Sequence, residues 1–167
     1  MIKTPTCYIM VGAPYSGKTF FIEHNAILRS LPVVSSDNEV HRLCKEHGTT
    51  YNDSFAKYIG KATKIYKMKM RVLMNQKKDF IVDRTNLTKK SRKPLIEALR
   101  REGYLVECVW FKPAETQAQM DELERRIAIR HDQSVPFGIL MKMYQSFEIP
   151  TKDEGFDKIW SPVEFGY

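Results

Sequence analysis

The chain has 167 residues, 43% of them hydrophobic and 28% charged, which is the make-up of an ordinary water-exposed globular protein. That length suits one domain with a three-layer α/β core, taken here as residues 1–167. No apolar run approaches the length of a membrane span, and Met1-Ile-Lys-Thr-Pro5 lacks the apolar stretch of a signal peptide. Three widely spaced cysteines, Cys7, Cys44 and Cys108, suggest neither a disulfide framework nor a zinc site, and a reducing cytoplasm is expected. The net charge of +7 is compatible with a polyanionic partner and equally with a solvated basic surface.

Short β-type runs alternate with longer helical ones, the pattern of a parallel sheet wrapped by helices. Thr6–Val11 reads as a strand and Gly17–Arg29 as the helix after it. Pro32–Ser35 is a short second strand. A helix beginning at Ser36 or Asp37 reaches Glu46, where His47-Gly48 signals a turn. Apolar residues recur at helical spacing over Phe55–Gln76. Asp79–Asp83 is a buried strand ending in an acid, followed by a helix over Lys90–Arg101 that Gly103 stops. Tyr104–Phe111 is another strand. Glu115–Arg130 is helical and charged, Pro136 opens a helix through Phe147, and Phe156–Trp160 is a last strand. The sum is a parallel sheet of about five strands with flanking helices.

Between the first strand and the first helix lies Gly12-Ala13-Pro14-Tyr15-Ser16-Gly17-Lys18-Thr19, a complete G-x-x-x-x-G-K-[ST]. The glycines let backbone N–H groups turn inward around phosphate oxygens. Lys18 is placed for the β- and γ-phosphates and the Thr19 hydroxyl for Mg²⁺, so ATP or another nucleoside triphosphate is the expected ligand.

In open parallel sheets, ligands gather at the carboxyl ends of strands. Ser35-Ser36-Asp37 and Asp83-Arg84-Thr85-Asn86 sit at two such ends. Asp37 suits a general base for an attacking hydroxyl, or an N-cap for its helix; the two are compatible. Asp83 suits support of Mg²⁺ through water, or a structural hydrogen bond. Arg126 and Arg130, four apart, share a helical face just before His131–Pro136. They form either a clamp over the nucleotide or part of a solvated charged face. Two basic runs, one from Lys57 to Lys78 and one over Arg84–Lys93, are candidate nucleic-acid contacts or solvated faces. Tyr51, Phe55 and Tyr58 can stack on a base or pack in the core.

Taken in order, Gly12–Thr19, Ser35–Asp37, Asp83–Leu87 with Arg92, Arg126–Arg130, Val135-Pro136 and Met143-Tyr144 resemble the phage-type polynucleotide 5′-kinases and related small P-loop kinases over about residues 6–160. The resemblance implies a three-layer P-loop kinase fold with a helical lid over residues 115–136. It implies ATP-dependent phosphorylation of a DNA or RNA 5′-hydroxyl. Lys18 and Thr19 would hold phosphate and magnesium, Asp37 would be the base, Arg126 and Arg130 the lid, and Asp83 a support. Localisation would be cytoplasmic, in a host cell if the protein is phage-encoded.

One departure stands out. The family carries an arginine three residues after the base, where this chain has Val40; the nearest arginine, Arg42, points about 160° away around the helix. Arg42, Arg84 and Arg92 remain as substrate contacts. The departure favours a second possibility, a small-molecule acceptor such as a nucleoside, nucleotide or sugar. A third is a nucleotide-dependent binding protein. No 3′-phosphatase activity is expected of a chain this short.

Overall fold

The computed structural model describes residues 3–130 and 135–166. Residues 131–134, within the stretch read as a lid, lie outside the described residues.

Five parallel strands form one sheet in the order β2-β3-β1-β4-β5. They are β1 (Thr6–Val11), β2 (Val33–Val34), β3 (Phe80–Asp83), β4 (Leu105–Trp110) and β5 (Lys158–Trp160). The central strand β1 pairs with β3 from Cys7↔Phe80 to Met10↔Asp83, and with β4 from Thr6↔Leu105 to Val11↔Trp110. Helices cover both faces, so Ile9, Met10, Val11, Ile81, Val82 and Val109 are all fully buried.

One face carries α3 (Tyr51–Asn75) and α4 (Lys89–Arg101), whose Tyr66, Met74, Ile96 and Leu99 pack on Cys7, Ile9, Phe80, Val82 and Val106. The other carries α1 (Lys18–His24) and the short α7 (Pro162–Phe165), with Phe21 and Ile22 against Met10, Ile81 and Val109 and Phe165 alongside. Outside these layers, α2 (Ser36–Glu46) packs on α3 through Val40, Leu43, Cys44, Tyr58 and Ala62. The pair α5 (Gln117–Ile129) and α6 (Phe137–Gln145) closes on the loop after β1, burying Leu123 and Leu140 against Ala13, Tyr15 and Leu87. Burying a leucine fully is worth about 1.5–3 kcal/mol, so the α5–α6 pair is attached by several such contacts rather than by charge alone.

Several boundaries differ from the sequence reading, each for a local reason. The first helix stops at His24 rather than Arg29. Asn25 turns extended, and its Oδ1 accepts from Ile27 N and Leu28 N while its Nδ2 donates to Gly166 O, leaving only a 3-10 turn at Leu28–Ser30. Helix α3 starts at Tyr51 rather than Phe55, because Thr50 Oγ1 caps it by accepting from Asp53 N. Pro94 lies inside α4 without ending it. Pro136 is the residue before α6 rather than its first.

Candidate active site

The carboxyl ends of β1, β2, β3 and β4 open into one cavity of about 1120 Å³, lined by Pro14–Phe20, Ser35, Asp37, Asp83, Arg84 and the α5 arginines among others. That exceeds the usual range for a single small ligand, about 300–1,000 Å³, and leaves space for a nucleotide with an acceptor beside it.

Its floor is the loop Gly12–Thr19. A Cβ on Gly12 would stand 2.7 Å from Ser16 Oγ and 3.0 Å from Phe111 Cβ, so a side chain there collides with the loop and the sheet. Gly17 has φ 94°, a left-handed conformation that L side chains resist. Tyr15 takes φ 65° despite its side chain, a strain of about 1–3 kcal/mol. Its surroundings hold it there. The Tyr15 carbonyl accepts from Arg126 Nη1 at 3.0 Å, its hydroxyl accepts from Val135 N at 3.0 Å, and its ring packs in the α5–α6 core.

Lys18 Nζ donates to Gly12 O at 2.8 Å and to Ala13 O at 2.9 Å, folding the ammonium back over the loop. Burial pushes its pKa down, while Asp83 and Asp37 pull it up and Arg130 pushes it down again. Asp83, at the end of β3, is pushed up by burial and by Asp37, against the pull of Lys18. Lys18, Asp37 and Asp83 therefore share one electrostatic neighbourhood at the cavity floor.

Asp37 is the second residue of α2, and the N-cap is Ser35, whose Oγ accepts from Asn38 N at 3.3 Å. The Asp37 carboxylate is thereby relieved of capping and lines the cavity, where its Oδ1 accepts from the Tyr51 hydroxyl at 3.1 Å. Ser16 Oγ is buried with no hydrogen-bond partner among the described residues. Such an orphan is costly unless a ligand oxygen or water satisfies it, and it sits where a phosphate would lie.

Among the described residues no group of three or more His, Cys, Asp or Glu is arranged to hold a metal. The Thr19 hydroxyl and the Asp37 and Asp83 carboxylates are among the oxygen donors that line the same cavity. This donor set fits Mg²⁺ as it commonly travels, on nucleotide phosphates with its own waters, and does not fit an all-protein cage.

Arg125 and Arg126 of α5, with Arg130 in extended conformation just past its end, also line the cavity; the helix stops one residue short of the Glu115–Arg130 span read from sequence. Arg126 Nε donates to Glu122 at 2.8 Å, and Arg125 donates to the same carboxylate at 2.7 and 2.9 Å. These bonds pull Glu122 down to about 2. The Arg130 guanidinium lies 5.9 Å from the Tyr15 ring centre. Arg84 lines the cavity with its guanidinium 5.2 Å from the Tyr66 ring centre.

Two expected substrate contacts lie elsewhere. Arg92 is fully buried, donates to both Glu154 oxygens at 2.7 and 2.9 Å and to Asn86 O at 2.9 Å, and so has no face left for a substrate. Arg42 is outside the cavity lining and pairs with Glu39 and Glu46 on its own helix. Val40 is fully buried between α2 and α3, so position 40 faces the core and not the cavity. Three further residues line the cavity: Glu122 and Arg125, which the sequence offers only as a solvated charged face around the two arginines, and His41, which it does not single out. His41 follows Asp37 by one helical turn and lines the cavity; that i, i+4 spacing was the available signal.

A five-stranded parallel sheet with this loop at the end of its central strand defines a P-loop nucleotide-binding protein of the kinase type. The AAA domain family, a family of P-loop kinases, has a profile that matches residues 8–150, and the chain belongs to that family. No curated protein matches the sequence significantly. Solved structures share the fold at low identity. A candidate kinase from Chloroflexus aurantiacus J-10-fl has a TM-score of 0.71 at 17% identity, covering 96% of this chain and 86% of that one. A fungal RNA kinase has 0.58 at 12%, covering 96% and 75%. A gluconokinase from Sinorhizobium meliloti 1021 has 0.52 at 15%, covering 96% and 83%.

Proposed function

We propose that the protein is an ATP-dependent kinase that phosphorylates the 5′-hydroxyl of a DNA or RNA end in the cytoplasm, through one domain spanning the chain. The observation that carries the kinase reading is the meeting of Lys18, Asp37 and Asp83 on the cavity floor opposite Arg126 and Arg130. A binding protein needs the loop; a phosphotransferase also needs a base and mobile positive charge.

The acceptor hydroxyl gives its proton to the free oxygen of the Asp37 carboxylate as its own oxygen bonds to the γ-phosphorus. The bond from that phosphorus to the ADP oxygen breaks, with the electron pair leaving on ADP. Lys18 moves from its carbonyl partners to the phosphates, and Arg126 and Arg130 neutralise charge on the transferring group. Gly12–Gly17 N–H groups and Ser16 Oγ bind phosphate oxygens. Thr19 would hold Mg²⁺, with Asp83 supporting it through water; when bound, the ion supplies further charge neutralisation.

Arg84 at the cavity rim supports a polyanionic acceptor, as does the fungal RNA kinase among proteins of the same fold. Burial of Val40 favours the second reading, a small-molecule acceptor, because the family's arginine has no equivalent there. Labelled ATP with Mg²⁺, presented with 5′-hydroxyl DNA and RNA oligonucleotides and with nucleosides and sugars, separates the two. Label on oligonucleotides alone supports the first; label on nucleosides or sugars alone replaces it with the second. ATP hydrolysis without transfer leaves a nucleotide-dependent binding protein. Asp37→Asn should bind ATP normally and lose at least about a hundredfold in transfer. Near-normal transfer by that variant removes Asp37 from the base role.

A further inference from the structure

Helix α3 begins four residues before its apolar repeat, and the first residue of that extension is Tyr51. Its hydroxyl reaches across to α2 and donates to Asp37 Oδ1 at 3.1 Å. Its ring stacks on His41, with centroids 4.5 Å apart and planes 28° apart, and leans on Phe55 at 5.3 Å. We infer that Tyr51 is the positioning residue of this kinase: its hydroxyl fixes the Asp37 carboxylate so that one oxygen is occupied and the other faces the acceptor. This inference rests on the assignment of Asp37 as general base.

The need for such a residue is physical. Asp37 stands at the second position of its helix, past the N-cap, and lines a wide cavity. It is attracted by Lys18 and repelled by Asp83, two groups on the same floor. Left to those forces, the carboxylate swings towards the ammonium and both oxygens become equivalent. A neutral donor bonded to one oxygen opposes that swing without adding a charge. Misplacement by about 1 Å can cost a hundredfold in rate, so orientation of the base is a large effect. The nearest other carboxylate of α2, Glu39, stands two residues on, about 200° around the helix, and cannot substitute, since Lys69 and Arg42 hold it.

The bond is long for O–H···O, as catalytic contacts often are before substrate closes the site. The ring is held independently of the hydroxyl. Its contacts to His41 and Phe55, and its packing against the α2–α3 core of Val40, Leu43, Tyr58 and Ala62, are made by the ring and persist in a phenylalanine. Removing the oxygen alone therefore tests positioning without dismantling the packing.

The experiment is a double-mutant cycle of Tyr51→Phe and Asp37→Asn, with kcat and the KM for ATP measured on whichever acceptor the labelling panel identifies. Tyr51→Phe should lower kcat by about ten- to a hundredfold, the worth of an oriented hydrogen bond to a charged group. The KM for ATP should stay within about twofold and the melting temperature within a few degrees. In the Asp37→Asn background the same change should cost nothing further, because the group it orients is gone. Wild-type kcat in Tyr51→Phe beside an inactive Asp37→Asn overturns the inference and spares the base assignment. An equal loss in both backgrounds, or a loss that comes only with lowered melting temperature and ATP affinity, also overturns it. Near-normal transfer by Asp37→Asn is a different failure, that of the base itself.

Discussion

Glu154→Ala should destabilise the protein strongly although it touches no part of the cavity. Arg92 is 0% exposed and Glu154 7%, and they meet through two parallel bonds of 2.7 and 2.9 Å. Deleting the carboxylate strands a guanidinium inside the protein with the Asn86 carbonyl as its remaining hydrogen-bond partner among the described residues. Breaking a buried pair in this way costs about 3–5 kcal/mol, where an exposed pair costs under about 1 kcal/mol. For a chain of this size each kcal/mol lowers the melting temperature by about 2–4 °C, so a fall of about 6–20 °C is expected. Urea unfolding followed by circular dichroism, with an unchanged m-value, measures the loss directly. The paired replacement Arg92→Met with Glu154→Leu should recover most of it, since an apolar pair avoids the desolvation of both ions. A loss below about 1 kcal/mol in Glu154→Ala would refute the reasoning. So would an Arg92→Met variant that melts like wild type yet shows a raised acceptor KM, for Arg92 would then belong to the substrate and not to the core.

Two further outcomes follow from the cavity floor. Gly12→Ala places a methyl group 2.7 Å from Ser16 Oγ, and calorimetry should find ATP binding weakened by about tenfold or more while the fold survives. Asp83→Asn should raise the melting temperature at neutral pH and slow transfer. Burial holds the Asp83 pKa above its ordinary value of about 4, so the native protein is penalised by its ionisation. That penalty is absent below about pH 4 and grows as pH rises through the raised value. The stability gain of Asp83→Asn should accordingly vanish in acid and be larger at neutral pH, and a gain that is equal at both pH values contradicts it.

The loop Gly12–Thr19 and the strands around it were legible because their signals are local: consecutive apolar residues for a strand buried on both faces, and glycines where the chain must turn. Arg126 was legible as part of a charged helix for the same reason, whereas Arg130, expected on the same helical face, caps that helix in an extended conformation. The failures involve partners far away in sequence. Nothing near Arg92 announces Glu154, 62 positions on, so a buried arginine read as a surface phosphate contact. Asn25 ends α1 partly through Gly166, 141 positions on. Sequence alone offers Tyr51 as a stacking or core residue, because the apolar spacing that marks its helix starts at Phe55. The cap at Thr50 carries no apolar signal, and it is the cap that brings the hydroxyl to Asp37.

Tyr15 belongs to two structures at once. Its backbone is a rung of the phosphate cradle, while its ring is a brick in the wall formed by α5 and α6. One residue thus couples the backbone of the loop to the packing of the helices beside it, so that a substitution at position 15 should disturb both together.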